Sequence, residues 1–404
     1  MKRKIQCLIK LLSDLIILPF LVLFVCSYKI FFNKRKADKI RIFFGLMPNN
    51  NLVYVRDAMI ELGYDAKVIP WIVPKHEKGV IDYDLDLSIR FPKLYKNFFG
   101  QIFLTYTFFC YAIHRFDIFI MPFQNRLLDR TILLSWLEFQ FLRFLSKKII
   151  LNPYGGDIQY SKVWSSKSDK ASQELFLARK NDAFYSKILD NKILKNTQYC
   201  LKYSHEEILS IDWPDYLPEG LGKYLHMRCF SFQNYKKTNM AHSKVDGRKI
   251  TIIHATNHSH FKGTHHLKSA VSALNKAGEN INLKIIKNKS HDEVLKEILK
   301  SDLVFDQILL GAYGRLAIEA MALGKPVMCY LREDFMKIYP QWSQCPIINV
   351  NIDTLKDKIL EFISFSVKKR EELGNKSKEY IEKFHSAEYV GEKLNSIIQE
   401  VIAK

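Results

Sequence analysis

Gly311-Ala312-Tyr313-Gly314 runs into a stretch, Arg315–Leu323, whose apolar residues Leu316, Ile318, Ala322 and Leu323 share one helical face. Gly324 and Pro326 end that helix. A glycine loop feeding a helix N-terminus turns unpaired backbone N–H groups toward an anion, and the helix dipole adds to the attraction. Glu319 falls in the second turn, where a carboxylate suits a diol such as ribose by accepting two hydrogen bonds. The other candidate chemistry is Asp82-Tyr83-Asp84-Leu85-Asp86, whose hard oxygen donors at alternate positions suit Mg²⁺ or Mn²⁺. That run sits in a charged, irregular stretch far from the glycine loop, so it reads as structure and no metal site is expected.

The elements that must position these residues alternate between strand and helix. The pattern predicts a strand at Ile40–Phe44, a Gly45–Asn51 loop, a helix over Leu52–Leu62 closed by Gly63, and a strand at Asp65–Ile69. An aromatic-rich helix over Lys96–Arg115 and a buried strand at Phe116–Phe123 follow. Next come an amphipathic helix over Thr131–Leu145, a strand at Lys148–Leu151 and a short strand and turn at Cys200–His205. Residues 236–248 are polar and basic and read as a linker. Beyond them come a strand at Ile250–His254, a helix over His266–Asn275, a strand at Asn282–Ile286 and a helix over Ser290–Lys300. Strands at Leu303–Phe305 and Val327–Leu331 flank the glycine loop, and helices over Asp353–Phe365, Lys368–Phe384 and Glu379–Val401 finish the chain. Strands alternating with helices mean parallel sheets, and 404 residues suit two domains, each with its own core.

Composition narrows the partners. The chain is 48% hydrophobic and 25% charged, as a folded protein is, with a formal net charge of +19. No zinc-finger spacing, helix-turn-helix signal or RNA-binding aromatic motif accompanies the charge, so nucleic acid is not expected and phosphorylated substrates or anionic lipid are. Seven cysteines form no CxxC pair and fit a reducing compartment. At the start, Lys2, Arg3, Lys4 and Lys10 precede an uncharged apolar run, Leu15–Tyr28, that is shorter than the ~20 residues a spanning helix needs. Lengthening it buries Asp14 and Lys29. A helix lying in the cytoplasmic leaflet keeps every Lys and Arg beside anionic head groups, so residues 1–39 read as a membrane-associated segment on the cytoplasmic face. A spanning anchor is the alternative.

GAYGRLAIEAMALGKPV resembles the nucleotide-binding segment of GT-B glycosyltransferases, most closely the retaining family-4 group. The aromatic-Gly pair (Tyr313-Gly314), the second Glu (Glu319) and the Ala-Met-Ala-x-Gly-x-Pro-Val tail match; Gly311 stands where the family has its first Glu. That Glu touches the donor sugar in the family, which leaves Asp306 and Gln307 as candidates for the contact. HATNHSHFKGTHHL resembles the family loop Gly-Arg-x4-Lys-Gly that holds the donor diphosphate. Lys262 and Gly263 match, while Asn257 stands at the Arg position and His258 or His260 is the candidate replacement donor. Zinc is the competing chemistry for His254, His258, His260, His265 and His266, but no Cys or carboxylate in that run completes a ligand set. The first unit resembles the opening of a GT-B amino-terminal domain, which puts Gly45 and Asn49 in the interdomain cleft. Gly-x-Asp-Ile at Gly155–Ile158 resembles the family's Gly-Ser-Asp-Ile, so Gly156 and Asp157 join the acceptor side, Asp157 equally as a helix cap. Gln124 or Asn125 stands where the family often has a His.

The resemblance implies an α/β GT-B fold of two Rossmann-like domains facing a cleft: residues 40–235 for the acceptor, 249–380 for the nucleotide sugar, and a crossover helix in 381–404. It implies transfer of a sugar from a nucleoside-diphosphate donor, with no cofactor or metal and with retention of configuration. It implies Lys262 and Glu319 as the catalytic residues, with Gly314 and Arg315 presenting further donors to the diphosphate. A membrane-held basic enzyme of this kind suggests a lipid-linked or oligosaccharide acceptor in surface polysaccharide assembly. Two alternatives stand beside it: a catalytically inactive partner of a glycan assembly complex, and a nucleotide-sugar epimerase.

Overall fold

The structure is a computed structural model describing residues 2–32, 38–74, 78, 81–182, 190–210, 213–230 and 249–404. The linker expected at 236–248 lies outside these. Buried apolar residues build the strands Arg41–Phe44, Ile118–Met121 and Lys148–Leu151 of one sheet and Leu303–Phe305 and Val327–Cys329 of the other, because a strand covered by helices on both faces has no solvent side to leave polar. The first sheet is formed by β1 (Arg41–Phe44), β2 (Asp65–Lys67), β3 (Ile118–Met121), β4 (Lys148–Leu151), β5 (Glu206–Leu209) and β6 (Lys223–Tyr224). Its spatial order is β2-β1-β3-β4-β5-β6, every pair parallel. The second is formed by β7 (Ile250–Ala255), β8 (Ile281–Ile286), β9 (Leu303–Phe305), β10 (Val327–Cys329) and β11 (Ile348–Asn349), in the order β8-β7-β9-β10-β11, again all parallel.

Each sheet therefore reverses direction once, between β1 and β3 and between β7 and β9. Ligands of open parallel sheets bind outside the carboxyl ends of the strands at such reversals. The loops after β1, β3 and β4 in one half, and after β7 and β9 in the other, are thus the places to look.

Helix Ala387–Ala403 crosses back to the first half, where Val390, Leu394 and Ile398 share a core with Ile42, Phe44 and Val55. The backbones come close there, since a methyl group on Gly391 would stand 2.8 Å from the Ala58 methyl. The tail does not run as one helix over the expected Glu379–Val401. It breaks after Phe384, where His385 turns inward and Ser386 caps the next helix. Two other expectations need correction. Cys200–Tyr203 is the end of helix Asp190–Tyr203, because Ile193, Asn196, Thr197 and Cys200 form its buried face and Arg126 donates to Asn196 at 3.0 Å. Thr131–Leu145 is not one helix either, but a 3-10 turn at Leu134–Trp136 and a helix at Glu138–Phe144. Asp14 accepts from the Ile132 and Leu133 N–H groups at 2.7 Å each, and Glu138 from those of Leu127 and Leu128, which holds this stretch in a turn.

Helix Lys2–Phe31 contains Pro19 and lies along the first half. Asp14 is fully buried in protein and also accepts from the Tyr106 hydroxyl at 2.6 Å. Leu21, Val25 and Tyr28 pack inward, while Leu8, Leu12, Leu15, Ile16, Phe20 and Leu23 are exposed. Its length and composition are those of a helix able to cross a membrane.

Candidate functional site

A cavity of about 250 Å³ opens between the two halves, walled by Tyr154, Gly155 and Gly156 after β4 on one side and by His258, Lys262 and Gly314 after β7 and β9 on the other. Trp164, Trp213 and Phe261 give it an aromatic lining, and Arg179 and Arg228 also reach it. The loop after β7 becomes a one-turn helix, Ser259–Lys262, that must stop at once so that helix Thr264–Lys276 can start. Gly263 makes that corner with φ +67, and a methyl group there would stand 2.4 Å from Ile308 Cγ2. Only glycine allows the two loops to touch this closely.

Asp306 organises the far wall. It is fully buried, accepts from Lys262 Nζ at 2.7 Å and from the Gly314 N–H at 2.5 Å, and so ties the loop after β7 to the loop after β9. Gly314 starts helix Arg315–Ala322. A methyl group on Gly314 would stand 3.3 Å from Lys262 Nζ and 3.6 Å from an Arg228 guanidinium nitrogen. Two cations and a helix N-terminus therefore converge on one point of the cavity wall.

Arg228 was missed by sequence reasoning. It follows β6 at the end of the first half, and no spacing relative to Lys262 could have revealed it. His385 holds its backbone, donating through Nδ1 to the Arg228 carbonyl at 3.0 Å, while His385 Nε2 lies 2.8 Å from the Tyr313 hydroxyl. Tyr313 is fully buried, its ring stacked on His226 and its hydroxyl also 3.1 Å from that of Tyr380. So Tyr313 does not face the cavity; it anchors the glycine loop from behind.

Glu319 is buried one turn beyond Arg315 and receives Arg315 Nε at 2.5 Å and His291 Nε2 at 2.8 Å. Burial pushes its carboxyl up, but Arg315 and His291 outweigh that and hold it below the ordinary range. His291 was read only as part of an amphipathic helix; its partnership with Glu319 spans 28 residues and leaves no local signal.

Other expected donor residues lie elsewhere. Gln307 is fully buried and spends its amide inside the loop, donating to the Ala312 and Tyr330 carbonyls and accepting from the Leu310 N–H at 2.7 Å. Asn257 is exposed and accepts from the Asn288 N–H at 2.9 Å, outside the cavity wall. Gly311 has φ +74, and a methyl group on it would overlap the Arg332 side chain at 2.4 Å. Arg332 thus covers the place of the family's first Glu. It is itself held by ion pairs to Asp215 and Asp334 and lies 3.9 Å from the Phe335 ring centroid.

On the first-half side, Gly45 and Asn49 line a smaller pocket beside Asn152 and Tyr154. Asn49 also caps helix Asn50–Glu61 through the Asn51 N–H. Gln124 donates to the Asp157 carbonyl at 3.1 Å. Asp157 is buried and accepts from the Phe123, Tyr154 and Gly155 N–H groups at 3.0–3.1 Å, which clips the loops after β3 and β4 together. Burial pushes its carboxyl up to about 7 against those donors. Gly156 alone of the expected acceptor residues lines the main cavity. The Asp82–Asp86 run is structural: Asp84 pairs with Arg56 and Lys67 at 2.9 Å each, and Asp86 caps Leu87–Arg90. The histidine run also divides. His254 is buried between the Phe305 carbonyl and the Thr264 hydroxyl, and His265 and His266 meet Glu174 instead of facing the cavity.

Comparison with known proteins agrees with this fold. Residues 262–380 match the family described as "Glycosyl transferases group 1". No curated protein matches the chain at the sequence level. Among solved structures, Anabaena Alr3699/HepE in complex with UDP and glucose superposes with a TM-score of 0.52 at 10% identity, over 90% of this chain and 100% of that one. Sucrose-phosphate synthase from Thermosynechococcus elongatus gives 0.56 at 10% identity, over 90% and 99%. An alpha-glucosyltransferase in complex with UDP and a 13-mer DNA gives 0.52 at 11% identity, over 89% and 99%. The chain has the GT-B fold, and residues 262–380 in its second half match the group 1 glycosyl transferase family.

Proposed function

We propose that this protein is a glycosyltransferase that takes a sugar from a nucleoside-diphosphate donor bound between its halves. The observation that carries the reading is the convergence of Lys262, Arg228 and the start of helix Arg315–Ala322 around Gly314. In such a transfer, charge grows on the leaving diphosphate, and pre-placed donors that strengthen with that charge lower the barrier. Lys262 supplies a point charge held in place by Asp306, and Arg228 supplies a planar fork suited to two phosphate oxygens. Glu319 receives the ribose diol, with Arg315 and His291 keeping it ionised. The acceptor enters from the side of Gly45, Gly156 and Tyr154. This set of donors needs no metal for the step, and retention of configuration is the expected outcome.

We also place the protein on the cytoplasmic face of a membrane, with a lipid-linked glycan acceptor in surface polysaccharide assembly. In support, helix Lys2–Phe31 exposes an apolar side while its one acidic residue is satisfied inside the protein. That suits a helix lying in the interface better than one crossing the bilayer. Phe99, Phe103 and Tyr111 of helix Phe98–Arg115 are exposed as a second apolar stripe. The covering of Gly311 by Arg332 favours the competing reading of an inactive partner, and one assay decides. Purified protein with lipid extract and a panel of nucleotide sugars should release UDP or GDP. Lys262→Ala should lower the rate about 100-fold and Arg228→Ala at least tenfold, with partial rescue by Arg228→Lys. Donor binding with no release from any sugar would support the inactive partner. Full activity in both variants would remove the proposed site.

A further inference from the structure

We propose that Glu174, His265 and His266 form a binding site for a zinc-type divalent cation, which fastens the two halves together at the rim of the cavity. Glu174 belongs to helix Lys170–Asn181 of the first half, whereas His265 and His266 open helix Thr264–Lys276 of the second. The histidine run contains no carboxylate, and the fold brings one to it across 92 residues of sequence.

The three side chains converge. His266 Nε2 lies 2.9 Å from both Glu174 oxygens and His265 Nε2 lies 3.3 Å from one of them. The two imidazole rings stand 4.0 Å apart, and all three donor atoms fall within 4.8 Å of one another. Ligands on a tetrahedral zinc at bond lengths of ~2.0–2.1 Å stand about 3.3 Å apart, so little movement is needed to admit the ion. Two imidazoles and one carboxylate favour zinc and its neighbours over magnesium or calcium, and leave a fourth position for water. His265 is also largely exposed, so the ion has a path in from solvent. Arg179, on the helix of Glu174, and Lys262, just before the helix of the two histidines, line the cavity. An ion here would therefore tie together its opposite walls, whatever the cavity holds.

Full-length protein stripped with a chelator should take up one Zn²⁺ per chain by calorimetry, with a rise in Tm, and bound Co²⁺ should give the intense visible absorption of a tetrahedral site. Glu174→Gln and His266→Ala should each weaken the affinity at least tenfold, and Mg²⁺ at the same concentration should not compete. His265→Gln, at an exposed position, serves if either of the others fails to fold. Absence of saturable Zn²⁺ uptake by the wild type, or uptake unchanged in the variants, would overturn the proposal. Neither result depends on sugar transfer.

Discussion

At Gly311 a single residue decides whether this site can be made to resemble its relatives. The backbone there has φ +74, and the space beyond its Cα is filled by Arg332, itself fixed by Asp215, Asp334 and the Phe335 ring. Restoring the family's carboxylate by Gly311→Glu therefore strains the backbone and displaces a paired guanidinium. A cost of roughly 2–4 kcal/mol in chemical denaturation is expected. Arg332→Ala alone breaks its ion pairs with Asp215 and Asp334. In the double variant the two costs should be less than additive by about 1 kcal/mol or more, because the clash is gone. Strict additivity would mean that Arg332 does not occupy the space. The same residue explains why the motif is intact on both sides of a missing Glu: the loop keeps its shape through Gln307 and Tyr313, neither of which needs that carboxylate.

Elements were legible where the local pattern and the tertiary packing agree. Lys148–Leu151 and Leu303–Phe305 appear as expected because runs of buried apolar residues have no other use in a parallel sheet. The helix Arg315–Ala322 and its loop were equally readable, since glycine, apolar face and stop signal all lie within one stretch. What stayed hidden depends on distant partners: Arg228 beside Lys262, His291 on Glu319, Glu174 on the histidine pair. The break in Thr131–Leu145 belongs to the same class, for it is imposed by Asp14 from 118 residues away. This makes the N-terminal helix a structural part of the first half. Asp14→Ala leaves the Ile132 and Leu133 N–H groups and the Tyr106 hydroxyl without their acceptor, which should cost about 1–3 kcal/mol. Proteolysis near Ile132 should quicken in the same variant. Tyr106→Phe, which removes one of the three bonds, should cost less. Equal stability of Asp14→Ala and wild type would show that the helix is not docked as described.

Across the whole molecule the fold is held by contacts that titrate as well as by apolar packing. His254 links β7 to β9 and to helix Thr264–Lys276, and His385 links the glycine loop to the backbone of Arg228. Burial pulls both imidazoles down to about 4. Between pH 6.5 and 4 the unfolded chain therefore binds protons that the folded one refuses, so stability from these groups is complete above 6.5 and is lost as pH falls toward 4. The loss is on the order of 3 kcal/mol per group by pH 4. Asp157 and Glu138 work in the opposite sense, since burial pushes each up to about 7 and their penalty fades as pH falls. The wild-type profile is thus a near-cancellation, and a single titrating group is best seen by difference. His385→Gln keeps a polar side chain beside Tyr313 but no longer takes a proton. It should be less stable than wild type at pH 7, and that deficit should shrink by about 3 kcal/mol on going to pH 4. Asp157→Asn should show the reverse trend. A His385→Gln deficit that stays constant across this range would mean that His385 is protonated as readily in the folded protein as in the unfolded chain.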